Sequence, residues 1–231
     1  MVHMFGREFE MAPSVARWMK ANGMTAKPEF VTPWGICDFV GLRFNREKVA
    51  QRLQQKQLRP ISSITRALLL LQIPDIQTKR SITINSLVRR FATSIPEDVV
   101  RGETSRLITD GFVTSSSRRC LQKVNGWMPL HDRIVAVELK LSRVDEAMRQ
   151  AVNNLGFADE SYIALPADVA RRVMSSETRW SKFFDLGIGL LSVARHRSRV
   201  LRPAEKTGTW TDTAIQLYCV EKFWSTRIRD S

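Results

Sequence analysis

Two charged residues close an apolar run in the second half of the chain. Ile134-Val135-Ala136-Val137 leads directly into Glu138-Leu139-Lys140. Residues i and i+2 of a strand share a face, so the Glu138 carboxylate and the Lys140 ammonium would project together. Charges are rare in such a strand unless they are paired or bind a metal. Glu138-Leu139-Lys140 is the only Glu-x-Lys in a chain with 12 Glu and 10 Lys. About half a match is expected by chance at that composition, so the apolar setting matters more than the triplet.

Two further acids have comparable settings. Asp38 lies between Ile36-Cys37 and Phe39-Val40, at the head of an apolar strand, where a lone acid wants a cation. Upstream, Glu8 shares a helical face with Met11, Ala12, Val15 and Met19, whereas Glu10 falls nearer Arg17. Glu8 is therefore the preferred third carboxylate, with Glu10 as the alternative. His3, His131 and His196 have no ligand spacing, and the distant Cys37, Cys120 and Cys219 exclude a cysteine zinc site of the usual kind.

The elements that must position these residues are legible as patterns. Glu8 to Asn22 reads as a helix, with Pro13 near its start or at a kink and Gly23 beyond its end. Glu29 to Thr32 and Cys37 to Phe44 read as strands around Pro33-Trp34-Gly35. Ile134 to Leu141 is a strand and Val144 to Leu155 an amphipathic helix. Tyr162 to Leu165 is a strand, Ala167 to Phe183 a helix, Gly187 to Val193 a last core strand, and Trp210 onward a terminal helix. Between Lys48 and Gly126 the texture differs. A polar, Gln-rich segment ends at Pro60. Helical patterns then run over Ile61 to Ile73, from Thr83 through Phe91, and from Pro96 to Gly111. A ribbon follows at Phe112-Val113-Thr114 and Cys120 to Val124.

Three helices followed by a β-ribbon is the order of a winged helix-turn-helix, in which the third helix enters the major groove and the ribbon touches the backbone. Leu107-Ile108-Thr109-Asp110-Gly111-Phe112-Val113 looks like the end of such a helix. The candidate DNA contacts are Arg89 and Arg90 on the second helix, Arg101 and Arg106 on the third, and Arg118, Arg119 and Lys123 on the ribbon.

Together Glu8, Asp38, Glu138 and Lys140 resemble the PD-(D/E)XK phosphodiesterase superfamily. The resemblance implies an α/β fold, a restriction-endonuclease-like αβββαβ core with a mixed central sheet, into which an α+β winged-helix domain is inserted. It implies Mg2+ or Mn2+ as cofactor, held by Asp38 and Glu138 with Glu8 directly or through water, and phosphodiester hydrolysis as activity, with Lys140 orienting the attacking water or offsetting charge on phosphorus. Gln150, on the helix after the motif, matches the further polar residue often found there. Cys37 stands where the motif name has Pro. The 100 residues between Asp38 and Glu138 far exceed a hairpin, and a folded insertion accounts for them. The expected domains are 1–49 with 131–231, and 50–130.

The chain has 231 residues, a net charge of +13 and a pI near 10.4, which favours a polyanion as partner. The net charge is +2 over residues 1–50, +8 over 51–130 and +3 over 131–231. No apolar stretch is long enough for a bilayer and no signal peptide is visible; three scattered cysteines suit a reducing, cytoplasmic compartment. The expected activity is a DNA endonuclease acting on double-stranded DNA without a membrane partner, as a homodimer or with a protein partner. The alternative is an inactive nuclease fold that binds DNA or serves in an assembly. Arg195-His196-Arg197-Ser198-Arg199 reads equally as a DNA flank or a solvated turn.

Overall fold

The computed structural model describes residues 5–116, 120–125, 127, 129–206 and 211–229. The chain is α/β with a mixed central sheet. It opens with a 3-10 turn, Glu8–Met11, that runs into helix α1, Ala12–Ala21. Pro13 sits in the first turn of α1, where the missing N–H costs nothing. Strands β1, Thr25–Thr32, and β2, Gly35–Phe44, form a hairpin. Then come α2 (Arg46–Gln54), α3 (Ile64–Gln72), β3 (Ile82–Thr83), α4 (Ile84–Phe91), α5 (Glu97–Thr109), β4 (Val113–Ser115) and β5 (Cys120–Lys123). The chain continues with β6 (His131–Leu139), α6 (Val144–Asn154), β7 (Glu160–Pro166), α7 (Ala167–Ser175), α8 (Glu177–Phe184), β8 (Gly189–Ala194), β9 (Arg197–Arg202) and α9 (Thr213–Arg229). Among the described residues no helix is long and apolar enough to cross a membrane, and Cys37, Cys120 and Cys219 are not joined in disulfides.

Two compact units result. The first comprises Met1–Phe44 and His131–Asp212. Its sheet has the order β1-β2-β6-β7-β8-β9. The β1/β2, β2/β6 and β8/β9 pairs are antiparallel, while β6/β7 and β7/β8 are parallel. The central strand β7 is buried at every position, as a parallel strand covered on both faces must be. On β6 the alternation splits the sheet's two cores. Val135, Val137 and Leu139 join Met11, Val15 and Met19 of the α1 face. Ala147, Met148 and Ala151 of α6 cover the opposite face with Ile163 and Leu165 of β7. Gly189 is required by close approach, because a Cβ there would stand 2.4 Å from the Tyr162 ring.

The second unit comprises Asn45–Leu130 and Thr213–Ser231. Side-chain caps fix its helix starts. Asn45 accepts from Lys48 N (3.0 Å), Ser63 from Arg66 N (3.0 Å) and Thr83 from Ser86 N (3.1 Å). A three-stranded antiparallel sheet of order β3-β5-β4 completes it.

Three expectations need correction. The terminal helix α9 belongs to the second unit, not with residues 131–212, and that unit begins at Asn45 rather than at residue 50. The reason is a buried ion pair. Arg52 of α2 donates to Glu221 of α9 at 2.6 and 3.0 Å, and its guanidinium lies over the rings of Trp224 (4.1 Å), Trp127 (5.0 Å) and Phe112 (5.2 Å). The Ile61 N–H donates to the same carboxylate at 2.8 Å. The span Ala167–Phe183 is two helices broken at Ser176. The Arg197–Arg199 run is strand, not turn, and pairs with Ser192–Ala194.

Because Arg52 and Glu221 are both fully buried, removing one partner strands a charge. Glu221→Ala should destabilise the second unit by about 3–5 kcal/mol. Hydrogen exchange of α2 and α9 amides would check this, with protection lost in both helices together.

Candidate active site

The carboxyl end of β6 gathers the chemistry. Glu138 and Lys140 lie on its α6 side and are almost fully buried. Neighbouring β2 brings Asp38, about a third exposed. The β2/β6 ladder runs to Phe39↔Val137, and just beyond it Asp38 Oδ2 accepts from Leu139 N at 2.7 Å. The β1/β2 register passes from Pro28↔Phe39 to Phe30↔Cys37, which sets Glu29 opposite Asp38. Glu29 has φ +47°, a left-handed conformation that is costly for a non-glycine residue inside a strand. The hairpin is thus distorted where it delivers Asp38.

Lys140 Nζ stands among three carboxylates: Glu146 of α6 at 3.9 Å, Glu8 at 3.8 Å and Asp38 at 4.0 Å. None is at hydrogen-bond distance. Arg143 bonds Glu146 at 2.7 Å and approaches Glu8 at 3.8 Å, and Leu141 N donates to Glu8 at 3.4 Å. Glu8 thus joins the cluster, although it is half-buried instead of lying on a buried face. Glu10 does not join it and accepts from Gly6 N instead.

Helix α6 meets the strand along one stripe. Glu146, Gln150 and Asn154 fall at i, i+4 and i+8, a shared helical face. Glu146 pairs with Lys140 at one end. At the other, Asn154 Nδ2 donates to Glu138 Oε1 at 2.7 Å. Gln150 lies between them, and its buried Oε1 has no hydrogen-bond partner. The sequence reading found Gln150 but missed Asn154, Glu146 and Arg143. The four-residue polar spacing on an otherwise apolar face was the available signal.

Burial pushes the Glu138 carboxyl up to about 7. The Asn154 hydrogen bond pulls it down, the Asp38 charge raises it further, and Cys37 and Lys140 lower it. The Cys37 thiol is pushed well above its ordinary value by burial and by Glu138, so it stays protonated beside the carboxylate.

With Glu138 ionised, the carboxylates of Glu8, Asp38, Glu138 and Glu146 face the cations of Lys140 and Arg143. Among the described residues no three His, Cys, Asp or Glu side chains already close on one point as metal ligands. Mg2+ binds through one or two carboxylates and keeps several waters, so Asp38 and Glu138 fit it as hard oxygen donors. The unpartnered Gln150 amide oxygen fits the same ion or a water on it. A cavity of about 430 Å3, lined in part by Arg143, Glu146, Arg149, Arg179 and Trp180, opens beside the cluster.

The expected DNA contacts lie in the second unit. Arg101 of α5 is exposed but bonds Glu97 (2.7 Å) and Asn85 (2.9 Å). Arg106 bonds Glu103 (2.6 Å), and Arg90 bonds Gln72 (2.8 Å). Arg89 is exposed on α4. Lys123 is half-buried, and burial lowers its pKa against the pull of Asp75. Arg118 and Arg119 lie outside the described residues.

No family model matches the chain, and no curated protein does. Among solved structures it is similar to the SPO1766 protein of unknown function from Silicibacter pomeroyi. The identity is 14% over 98% of this chain and 89% of that one, with a TM-score of 0.46. A likeness at that level carries no argument.

The raised Glu138 pKa has a signed consequence for the metal-free protein. The folded chain holds the proton up to about pH 7, while an unperturbed carboxyl releases it near 4.5. The folded state therefore binds more protons in that window, and stability falls as pH rises through it, then levels off. Glu138→Gln should flatten this slope, gaining up to about 3 kcal/mol at pH 8 relative to wild type. Melting temperatures of both proteins from about pH 4.5 to about pH 8, a range that brackets the two pKa values, would check it.

Proposed function

We propose that the chain is a metal-dependent phosphodiesterase of the PD-(D/E)XK type, a DNA endonuclease with an inserted winged-helix reader. One observation carries the reading: Asp38 of β2, Glu138 of the adjacent β6 and Lys140 just past its end meet at one end of the sheet, with Glu8 joining from the turn before α1. The order α1-β1-β2-β6-α6-β7, interrupted only by the second unit, supports it as the αβββαβ core of that superfamily. The second unit's order α3-β3-α4-α5-β4-β5, with sheet order β3-β5-β4, supports a winged helix in which α5 is the reading helix.

Asp38 and Glu138 would hold Mg2+ or Mn2+, with Glu8 or Gln150 acting directly or through water. Bound there, such an ion polarises the scissile phosphate and lowers the pKa of the attacking water. Lys140 positions that water and offsets charge on the phosphoryl oxygens. Asn154 and Cys37 fix the Glu138 carboxylate. Hydrolysis joins the water oxygen to phosphorus and breaks the bond to the leaving sugar oxygen, which takes up a proton.

A second reading has its own observation. The Lys140 ammonium already stands amid three carboxylates, the arrangement of a structural ion network in an inactive, DNA-binding nuclease fold. Asp38→Ala separates the two. It should abolish Mg2+-dependent cleavage of duplex DNA while leaving DNA affinity within about twofold, since Arg101 and Arg106 belong to the other unit. Lys140→Ala should lower the cleavage rate by roughly 100-fold with a smaller effect on metal affinity. Cleavage by Asp38→Ala at the wild-type rate, or no cleavage by wild type with Mg2+ or Mn2+ on single-stranded, duplex or branched DNA, would leave the inactive reading.

On the second unit, Arg101→Ala/Arg106→Ala should weaken DNA binding and reduce the slope of log K against log salt by about 0.9 per lost phosphate contact. Fluorescence anisotropy across a salt series reads that slope.

A further inference from the structure

The basic run that the sequence left undecided occupies a defined place in the first unit. Strands β8 and β9 form a hairpin, and β9 is the edge strand of the sheet. Arg195, His196, Arg197 and Arg199 are exposed at its turn and along β9. The turn is fixed against α1: Ser14 Oγ donates to the carbonyls of Ala194 (2.9 Å) and Arg195 (3.0 Å). Arg17 Nη2 reaches the same Arg195 carbonyl (3.2 Å) and Ser14 Oγ (2.9 Å), adding a fourth guanidinium. Neither α1 nor residues 194–204 contain an acidic residue. Among the described residues none of Arg17, Arg195, Arg197 and Arg199 takes part in an ion pair, unlike Arg52, Arg66, Arg101 and Arg106.

Arg17 meets the backbone of Arg195 at the turn, while Arg197 and Arg199, paired with Ala194 and Ser192, lie on the face of the edge strand away from α1. Like charges following one another along one edge repel, and a polyanion relieves that repulsion. The position favours one polyanion. The parallel pairs Leu139↔Ala164 and Pro166↔Val193 put the carboxyl ends of β6, β7 and β8 at the same rim of the sheet. The turn after Ala194 therefore lies on the rim that holds Glu138 and Lys140, two strands across, roughly 10 Å in the sheet direction. Arg197 and Arg199 share one face of β9, about 7 Å apart, a ladder of cations instead of a single point. The turn sequence Arg195-His196-Arg197-Ser198 offers no apolar side chain for a lipid interior.

We infer that this hairpin rim, Arg195, Arg197 and Arg199 with Arg17, is a second nucleic-acid contact that grips the sugar-phosphate backbone of DNA from the first unit itself. The inference rests on the nucleic-acid reading of the chain but not on hydrolysis. Its test is therefore a binding measurement on the full chain without divalent cations. Duplex affinity is measured across a salt series for wild type, Arg197→Ala/Arg199→Ala, Arg101→Ala/Arg106→Ala, the four-fold combination, and Arg43→Ala. Arg43 is an exposed residue near the opposite end of β2 and serves as the charge control. The substituted side chains are exposed, so melting temperatures should stay at the wild-type value and report any failure to fold.

Two lost contacts should reduce the salt slope by about 1.8, and the reduction should persist on top of Arg101→Ala/Arg106→Ala. An unchanged slope, or a loss per charge no greater than that of Arg43→Ala, overturns the proposal. So does a loss confined to phosphatidylserine vesicles with DNA binding intact, which would make the rim a membrane contact. If Arg101→Ala/Arg106→Ala has no effect while the hairpin variant does, the winged-helix reading fails and the hairpin contact stands.

Discussion

The first unit is organised around the cost of placing two opposite charges on the inner face of a central strand. Glu138 and Lys140 are both almost fully buried, and neither serves as the other's main partner. Glu138 takes a hydrogen bond from Asn154 and lies against a protonated thiol. Lys140 is surrounded by carboxylates none of which comes closer than 3.8 Å. Replacing such a set by apolar residues of similar volume is often neutral or stabilising. Stability therefore gives little reason to retain it. The buried Glu138 carboxyl, raised by its surroundings, and the carboxylates around Lys140 mark this end of the strand as the candidate site.

Three supporting elements converge on that end of β6, and each is specialised for it. The β1–β2 hairpin carries its left-handed residue, Glu29, opposite Asp38. The 3-10 turn before α1 brings Glu8 within reach of Leu141 N and Lys140. Helix α6 turns a polar stripe to the strand, while Ala147, Met148 and Ala151 bury their side chains against β7. The apolar packing sets the distance between α6 and the sheet. The polar stripe then meets Glu138 and Lys140 without further adjustment.

Charge on this chain is informative only after pairing is known. The middle third holds most of the excess positive charge, yet Arg52 is sealed among aromatic rings and Glu221, Arg66 is shared by Glu103 and Asp110, and Arg106 also leans on Glu103. The last third carries a smaller excess, but among the described residues Arg195, Arg197 and Arg199 take part in no ion pair. An ion-paired arginine must exchange one anion for another to bind a phosphate, whereas an unpaired one only sheds counterions.

Much of the site was legible in the sequence because it rests on local rules. A strand period of two puts Glu138 and Lys140 on one face, and an apolar run flanking a single acid marks Asp38. Caps and periodicity located α3, α4 and α5 to within a few residues. Other features needed the tertiary structure. The two-residue strand β3 is too short to leave a pattern. The assignment of α9 to the second unit depends on Glu221 meeting Arg52, 169 residues away. Asn154 and Glu146 look like ordinary polar positions on an amphipathic helix until the strand they face is known. The basic run reads equally as a DNA flank or a solvated turn until β8 pairs with it and Ser14 ties it to α1. Spacing along one element is written in the sequence, because backbone geometry fixes it. Which distant charges become partners is decided only when packing brings the elements to a common distance, because Coulomb and hydrogen-bond energies depend on separations of a few ångströms and on the water that folding excludes.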